Sequence, residues 1–192
     1  MCLRRVWLPL LLAAALTVAC GDPPEREIQQ AQSAIDAARA AGADVYAHDE
    51  FAAAQDALKH ANDAVAQRDY RLALNNALDA RERAQNAEKE AATRKSAARV
   101  DAERAVADVT AALAEARTRL KAAEGVRVPA RTLTEARRTI ASVDQAVQKA
   151  RSAQAHEDYP AAIETSKTAT ARLQAVAREL EAASTPAQRR RH

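Results

Sequence analysis

Few side chains in this sequence are of the types that carry out acid–base, metal or nucleophilic chemistry. The 192 residues include four histidines and two cysteines. His48 and His60 are twelve positions apart, a separation that turns about 120° around a helix and takes them off a common face. No His-x-x-x-His or Glu-x-x-His unit occurs, so we predict neither a metal centre nor a bound cofactor.

The segment HEDY, residues 156–159, is the one place where a possible acid and a possible base are adjacent. A second interpretation is a helix turn in which Asp158 caps the next helix, with Pro160 in the first turn, where proline is tolerated. We favour the capping interpretation. The sequence has no glycine-rich phosphate loop and no Gly-x-Ser-x-Gly motif. We therefore predict that the protein is not an enzyme, and we identify no small-molecule substrate.

Cys20 stands between an apolar run and a Gly-Asp-Pro-Pro spacer. Two arginines within the first five residues precede the run from Val6 to Val18, a pattern typical of an export leader. The run has 13 residues, too few for a membrane-spanning helix, which needs roughly 20. We predict that residues 1–19 are a signal peptide that is removed.

The residues Thr17, Val18, Ala19 and Cys20 resemble the lipobox of bacterial lipoproteins. The resemblance implies that Cys20 begins the mature chain and carries diacylglycerol and a fatty acid such as palmitate. Gly21 follows in place of Asp, and by resemblance to lipoprotein sorting this favours the outer membrane, facing the periplasm. Retention in the inner membrane is the alternative. An ordinary signal peptidase that cuts at Val18-Ala19 is the alternative to lipidation.

The composition predicts long helices. The chain has one Phe, one Trp and three Tyr, and neither Gly nor Pro occurs between Gly42 and Gly125. Such a sequence is not suited to a large core, and long helices are its simplest interpretation. The formal net charge of +3 falls further when the leader and its arginines leave, so we predict no nucleic-acid partner.

Apolar residues recur at heptad spacing along several segments, which we interpret as the buried faces of helices. A helix continued in register past Val65 would bury Arg68, so we predict a break at Arg68–Asp69, with Asp69 capping a new helix. The predicted faces comprise Ile28, Ala31, Ile35 and Ala38; Phe51, Ala54, Leu58, Ala61 and Val65; Tyr70, Ala73, Ala77, Ala80, Ala84, Ala87 and Ala91; Val106, Val109, Leu113, Ala116 and Leu120; Leu133, Ala136, Ile140, Val143, Val147 and Ala150; and Tyr159, Ala162, Ser166, Ala169, Leu173, Val176 and Leu180.

The two halves of the chain indicate an internal duplication. The segment AQRDYRLALNNALDA from Ala66 has a counterpart in AHEDYPAAIETSKTA from Ala155, and Gly42 and Gly125 each precede one copy. From the duplication we infer that the turn residues Asp69, Tyr70, Asp158 and Tyr159 form interaction sites.

The predicted fold is all-α, with elongated antiparallel helical hairpins that form a coiled-coil bundle. We predict two tandem three-helix units that share one long central helix. After the signal peptide, residues 20–24 hold the lipidated cysteine and a spacer. Residues 25–95 form the first unit, residues 96–184 the second, and residues 185–192 a basic disordered tail.

The segment from Ala38 to Ala80 looks like the alanine-rich helical domain of unknown function found in small envelope lipoproteins of Gram-negative bacteria. We expect a non-catalytic, lipid-anchored periplasmic lipoprotein that acts as a helical spacer, scaffold or adaptor. Its partners would be the membrane, through the lipid anchor, and an envelope protein or a second copy. The alternative is a binding module for an envelope polymer or anionic lipid.

Overall fold

The computed structural model describes the backbone of residues 22–189 and the side chains as far as residue 184. The predicted signal peptide and Cys20 lie outside the described residues. Within them the fold is all-helical, as predicted, and no strand occurs. Its six helices are α1 (Glu25–Ala40), α2 (Ala43–Tyr46), α3 (His48–Ala66), α4 (Tyr70–Glu124), α5 (Ala130–Ala155) and α6 (Tyr159–Arg189).

The chain divides into two compact units, Met1–Arg94 and Lys95–His192. In the first unit, α1 packs on α3, and both share a core with the alanines of α4 from Ala80 to Ala91. Ile35 and Phe51 are its large members, and the Arg39 guanidinium lies 5.5 Å from the centre of the Phe51 ring. Because most of this core is alanine, helix axes can approach at the close end of the usual range, about 8 Å.

The second unit has larger core side chains. Val109 and Leu113 of α4 share a core with Ile140 and Val143 of α5 and Leu173 of α6. A second cluster near the α4–α5 connection contains Val128, Ala136, Val176 and Leu180. These branched residues fill more volume than the alanines of the first unit, so loss of one leaves a larger cavity.

The heptad faces predicted from the sequence are buried with few exceptions. Val65 is only partly buried, because Ala57 and Ala64 of α3 turn toward the core beside Leu58 and Ala61. Tyr70 is also half-buried. Three further predicted core residues are buried in part, namely Ile28, Leu120 and Leu133.

The connections differ from the predictions in three respects. Gly42 ends α1 in a left-handed conformation with φ of 84°, but the short helix α2 that follows was not predicted. Gly125 follows α4 without a positive φ, so the two glycines are not equivalent turns. Finally, α6 continues through Pro186 to Arg189, into the segment predicted to be a disordered tail. Pro186 lies in the last turn of α6, three residues before its end, so only a short part of the helix follows the hydrogen bond that the proline removes.

Candidate functional site at the two interhelical turns

The four predicted turn residues lie where the sequence places them, two in each unit. Asp69 and Tyr70 join α3 to α4, and Asp158 and Tyr159 join α5 to α6. Both aspartates are exposed, Tyr70 is half-buried, and Tyr159 is buried. Each turn belongs to one unit, and the two turns are copies of the same backbone motif.

Both turns begin with a left-handed residue that is not glycine. Arg68 has φ of 59° and Glu157 has φ of 61°. In the first turn, the Asp69 N–H donates to the Ala64 carbonyl at 3.0 Å, and the Arg68 N–H to the Val65 carbonyl at 2.9 Å. This is the Schellman arrangement that closes a helix C-terminus.

The second turn repeats this pattern with the same spacing. The Asp158 N–H donates to the Ala153 carbonyl at 2.9 Å, and the Glu157 N–H to the Gln154 carbonyl at 3.1 Å. A non-glycine residue in this region is strained, and strained backbone clusters at functional positions. The duplication inferred from the sequence thus extends to the hydrogen bonds of the turns.

Each aspartate also caps the next helix, as predicted. Asp69 Oδ1 accepts a hydrogen bond from the Leu72 N–H at 3.0 Å, and Asp158 Oδ1 accepts one from the Ala161 N–H at 3.2 Å. The cap satisfies one of the free N–H groups at the helix start. Each aspartate therefore helps to end one helix through its backbone N–H and caps the start of the next helix through its side chain.

The electrostatics of the two turns differ. The Lys95 ammonium donates to the Glu157 carboxylate at 2.6 Å. This hydrogen bond, followed by the charge of Lys95, lowers the pKa of Glu157 below its usual value. In the first turn the equivalent residue is Arg68, which is exposed. The first turn presents a cation where the second presents a paired carboxylate.

The groups of the HEDY segment are engaged in structural contacts. His156 Nδ1 donates to the Ser152 carbonyl at 2.7 Å, since a carbonyl can only accept. Glu157 is paired with Lys95, and Asp158 caps α6. This arrangement supports the capping interpretation over acid–base chemistry. Among the described residues, no group of three or more His, Cys, Asp or Glu side chains could hold a metal ion.

One polar side chain of the second unit is buried without a hydrogen-bond partner. Ser166 is 1% exposed, and its hydroxyl has no partner among the described residues. It lies beneath an open groove of about 560 Å³ between α4 and α6, whose rim carries Asp101, Arg104 and Lys167. The residue at the equivalent position of the first unit, 89 positions earlier, is the buried Ala77.

Two exposed leucines near the first turn were not identified from the sequence. Leu72 is 46% exposed and Leu78 is 39% exposed. Both lie outside the predicted heptad face of α4, and from this position their exposure could have been predicted. No helix within residues 22–189 is long and apolar enough to cross a bilayer.

The fold and turns define an alanine-rich helical domain with duplicated capping turns. Residues 26–103 match the profile of a protein family described as Domain of unknown function (DUF4398). The match contains the Ala38–Ala80 segment, and it confirms the predicted resemblance to a helical domain of unknown function. No curated protein and no solved structure matches the chain.

Proposed function

We propose that the mature protein is a non-catalytic, lipid-anchored lipoprotein of the bacterial envelope that acts as a helical spacer, scaffold or adaptor. The observation that carries the proposal is the continuity of α4. This single helix of 55 residues provides core alanines to the first unit and Val109, Leu113 and Ala116 to the second. At 1.5 Å per residue it is about 80 Å long.

The proposed architecture is two tandem three-helix units that share α4 as their central helix. Antiparallel hairpins with a seven-residue repeat would make each unit a short coiled-coil bundle. A helix that contributes side chains to both cores suits a spacer or scaffold.

In this proposal the acylated Cys20 holds the protein on the outer membrane, facing the periplasm. Pro23 and Pro24 follow the cysteine closely, and the Glu25 N–H donates to the Pro23 carbonyl at 2.8 Å. The spacer between lipid and helix is therefore short. Membrane and helices would be closely coupled.

The two turns are the proposed contact points for an envelope protein. Their backbones are alike, but the charge differs, with Arg68 at one and Glu157 at the other. A partner that binds the Asp-Tyr motif alone would contact both turns. A partner whose binding depends on charge would bind one turn in preference to the other. Eight arginines on the described helix surfaces are paired with carboxylates, including Arg83, Arg119 and Arg137, and this pairing leaves fewer cations for an anionic polymer.

The anchor is tested by the mass of the mature N-terminal peptide and by membrane fractionation of wild type and Cys20→Ala. We expect a diacylated or triacylated Cys20 in the outer-membrane fraction, and release of the Cys20→Ala protein. An unmodified N-terminus produced by a cut at Val18-Ala19 would contradict the proposal.

The adaptor role is tested by photocrosslinking in cells at two matched positions, Gln67 and His156. These exposed residues occupy equivalent places in the two turns. A discrete protein partner that is lost in Cys20→Ala would support a membrane-tethered adaptor. Links to the same chain would support a self-associating scaffold, whereas links to wall polymer alone would support the binding-module alternative. Salt-sensitive binding to purified peptidoglycan would favour that alternative further.

A further inference from the structure

The open groove between α4 and α6 belongs to the second unit and is lined mainly by polar side chains. Its volume is about 560 Å³, within the range of sites that hold small ligands. Ala105, Ile163 and Ala171 form the apolar part of its lining. Six exposed or half-buried polar residues also line it, namely Asp101, Arg104 and Asp108 of α4 and Lys167, Thr170 and Gln174 of α6.

The side chains of these six polar residues make no hydrogen bond or ion pair with another described residue. Arg104 is three positions from Asp101 and four from Asp108, spacings at which charged side chains of a helix can pair, but it pairs with neither. Elsewhere on α4, Arg94 and Arg119 do pair with glutamates four positions away. The groove therefore presents two carboxylates and two cations that are all available to a ligand.

A buried hydroxyl lines the same groove. Ser166 is 1% exposed, and its Oγ has no hydrogen-bond partner, a condition that costs stability. The buried Ala77 occupies the equivalent position of the first unit, so the fold does not require a hydroxyl there. Rotation of the Ser166 side chain between its staggered positions would present Oγ to a ligand in the groove. The unpaired hydroxyl is thus a second observation that points to a ligand.

The groove of the first unit between α1 and α4 differs in both respects. The Arg81 guanidinium donates to Gln30 there at 2.8 Å, and the Ser33 hydroxyl donates to the Gln29 carbonyl at 2.9 Å. No carboxylate lines this groove. A ligand that carries both signs of charge would therefore find complementary groups in the second unit and not in the first.

The groups in the groove select the chemistry of the ligand. The aspartates suit an ammonium group, and Arg104 and Lys167 suit a carboxylate. The hydroxyls of Ser166 and Thr170 can both donate and accept, which suits an amide. Ammonium, amide and carboxylate groups occur together in a short peptide with free ends. Arg104 lies about 5–6 Å along α4 from each aspartate, and an extended dipeptide spans at most about 7 Å.

We infer that the groove between α4 and α6 binds a short zwitterionic peptide. An aspartate of α4 holds the amino end, and Arg104 and Lys167 hold the carboxyl end. Bound peptide would pair these charges and give the Ser166 hydroxyl a partner. The inference goes beyond the proposed function, and it does not depend on the lipid anchor, because every residue of the site belongs to the second unit.

The test measures binding of the dipeptide Ala-Ala to the full-length chain, as it is produced in cells, by equilibrium dialysis. The dipeptide is used with free ends, acetylated at the amino end, amidated at the carboxyl end, and blocked at both ends. We expect each single block to weaken binding by about fivefold, because it removes one charged contact. Equal binding of the free and doubly blocked forms would overturn the inference, and so would no binding of the free form at millimolar concentration.

Paired substitutions test which charges hold the peptide. Arg104→Gln with Lys167→Gln should weaken binding of the free dipeptide by about fivefold and leave binding of the amidated form unchanged. The control pair Arg138→Gln with Arg172→Gln makes the same change of charge at exposed positions outside the groove, and it should affect neither form. Equal losses in the two pairs would overturn the inference. Ser166→Ala, which should fold more stably, should weaken all four forms alike.

Sedimentation at high protein concentration tests whether a second copy occupies the groove instead. Ala171 is exposed within the groove, so Ala171→Glu would disrupt any helix packed there. We expect this substitution to leave the sedimentation unchanged. A dimer that Ala171→Glu dissociates would assign the groove to self-association and overturn the inference.

Discussion

Replacement of Arg68 by glycine tests whether the first turn is strained as described. Arg68 has φ of 59°, a conformation that costs a residue with a side chain about 1–2 kcal/mol and costs glycine nothing. The greater entropy of the unfolded chain with glycine lowers the free energy of unfolding by about 0.4–1 kcal/mol. Arg68→Gly should therefore stabilise the first unit by about 0.5–1 kcal/mol.

The assay is urea unfolding followed by far-ultraviolet circular dichroism, with Glu82→Gly as the control. Glu82 is an exposed residue inside α4, where glycine should destabilise by about 1 kcal/mol. Opposite signs for the two glycine variants would support the left-handed turn. If Arg68→Gly destabilises as much as Glu82→Gly, then α3 and α4 are one continuous helix at this position and the left-handed turn is absent.

Three further predictions concern the caps, the buried serine and the ion pair. Asp69→Ala and Asp158→Ala should each cost about 1 kcal/mol in urea unfolding, while Asn at either position should retain most of the cap. Ser166→Ala should raise the free energy of unfolding by about 1 kcal/mol, because it removes an unpaired buried hydroxyl, and Ala77→Ser should lower it. The pKa of Glu157 is lowered mainly by its hydrogen bond to Lys95. The ion pair therefore stabilises the fold at pH values above the usual pKa of a glutamate, and this stabilisation is lost as the pH falls through the lowered pKa. Carboxyl titration by NMR should show the pKa of Glu157 returning toward 4.5 in Lys95→Met.

The helices and their buried faces could be predicted because this sequence encodes them locally. Alanine at heptad spacing, with no Gly or Pro from Ala43 to Glu124, leaves few folds open. The break at Arg68–Asp69 followed from the cost of burying Arg68 in a continued register. Local propensity and the burial pattern agree here, and this agreement is what makes a fold predictable.

Other features depend on contacts that no local pattern contains. Lys95 and Glu157 are 62 positions apart, and nothing in either neighbourhood indicates that they pair. The left-handed conformation of Arg68 and Glu157 could not be predicted, because the usual signal, a glycine after the helix, is absent at both positions.

A comparison of the two turns shows which features the fold requires, because their backbones are alike and their side chains differ. The hydrogen bonds around Asp69 and Asp158 are the same, so the backbone motif serves the fold in both units. The side chains around them have diverged, with two exposed leucines, Leu72 and Leu78, near the first turn and a paired carboxylate at the second. A difference that persists on an identical backbone is not needed for folding. It is therefore on Leu72 and Leu78, and not on the shared Asp-Tyr motif, that a function specific to the first unit should depend.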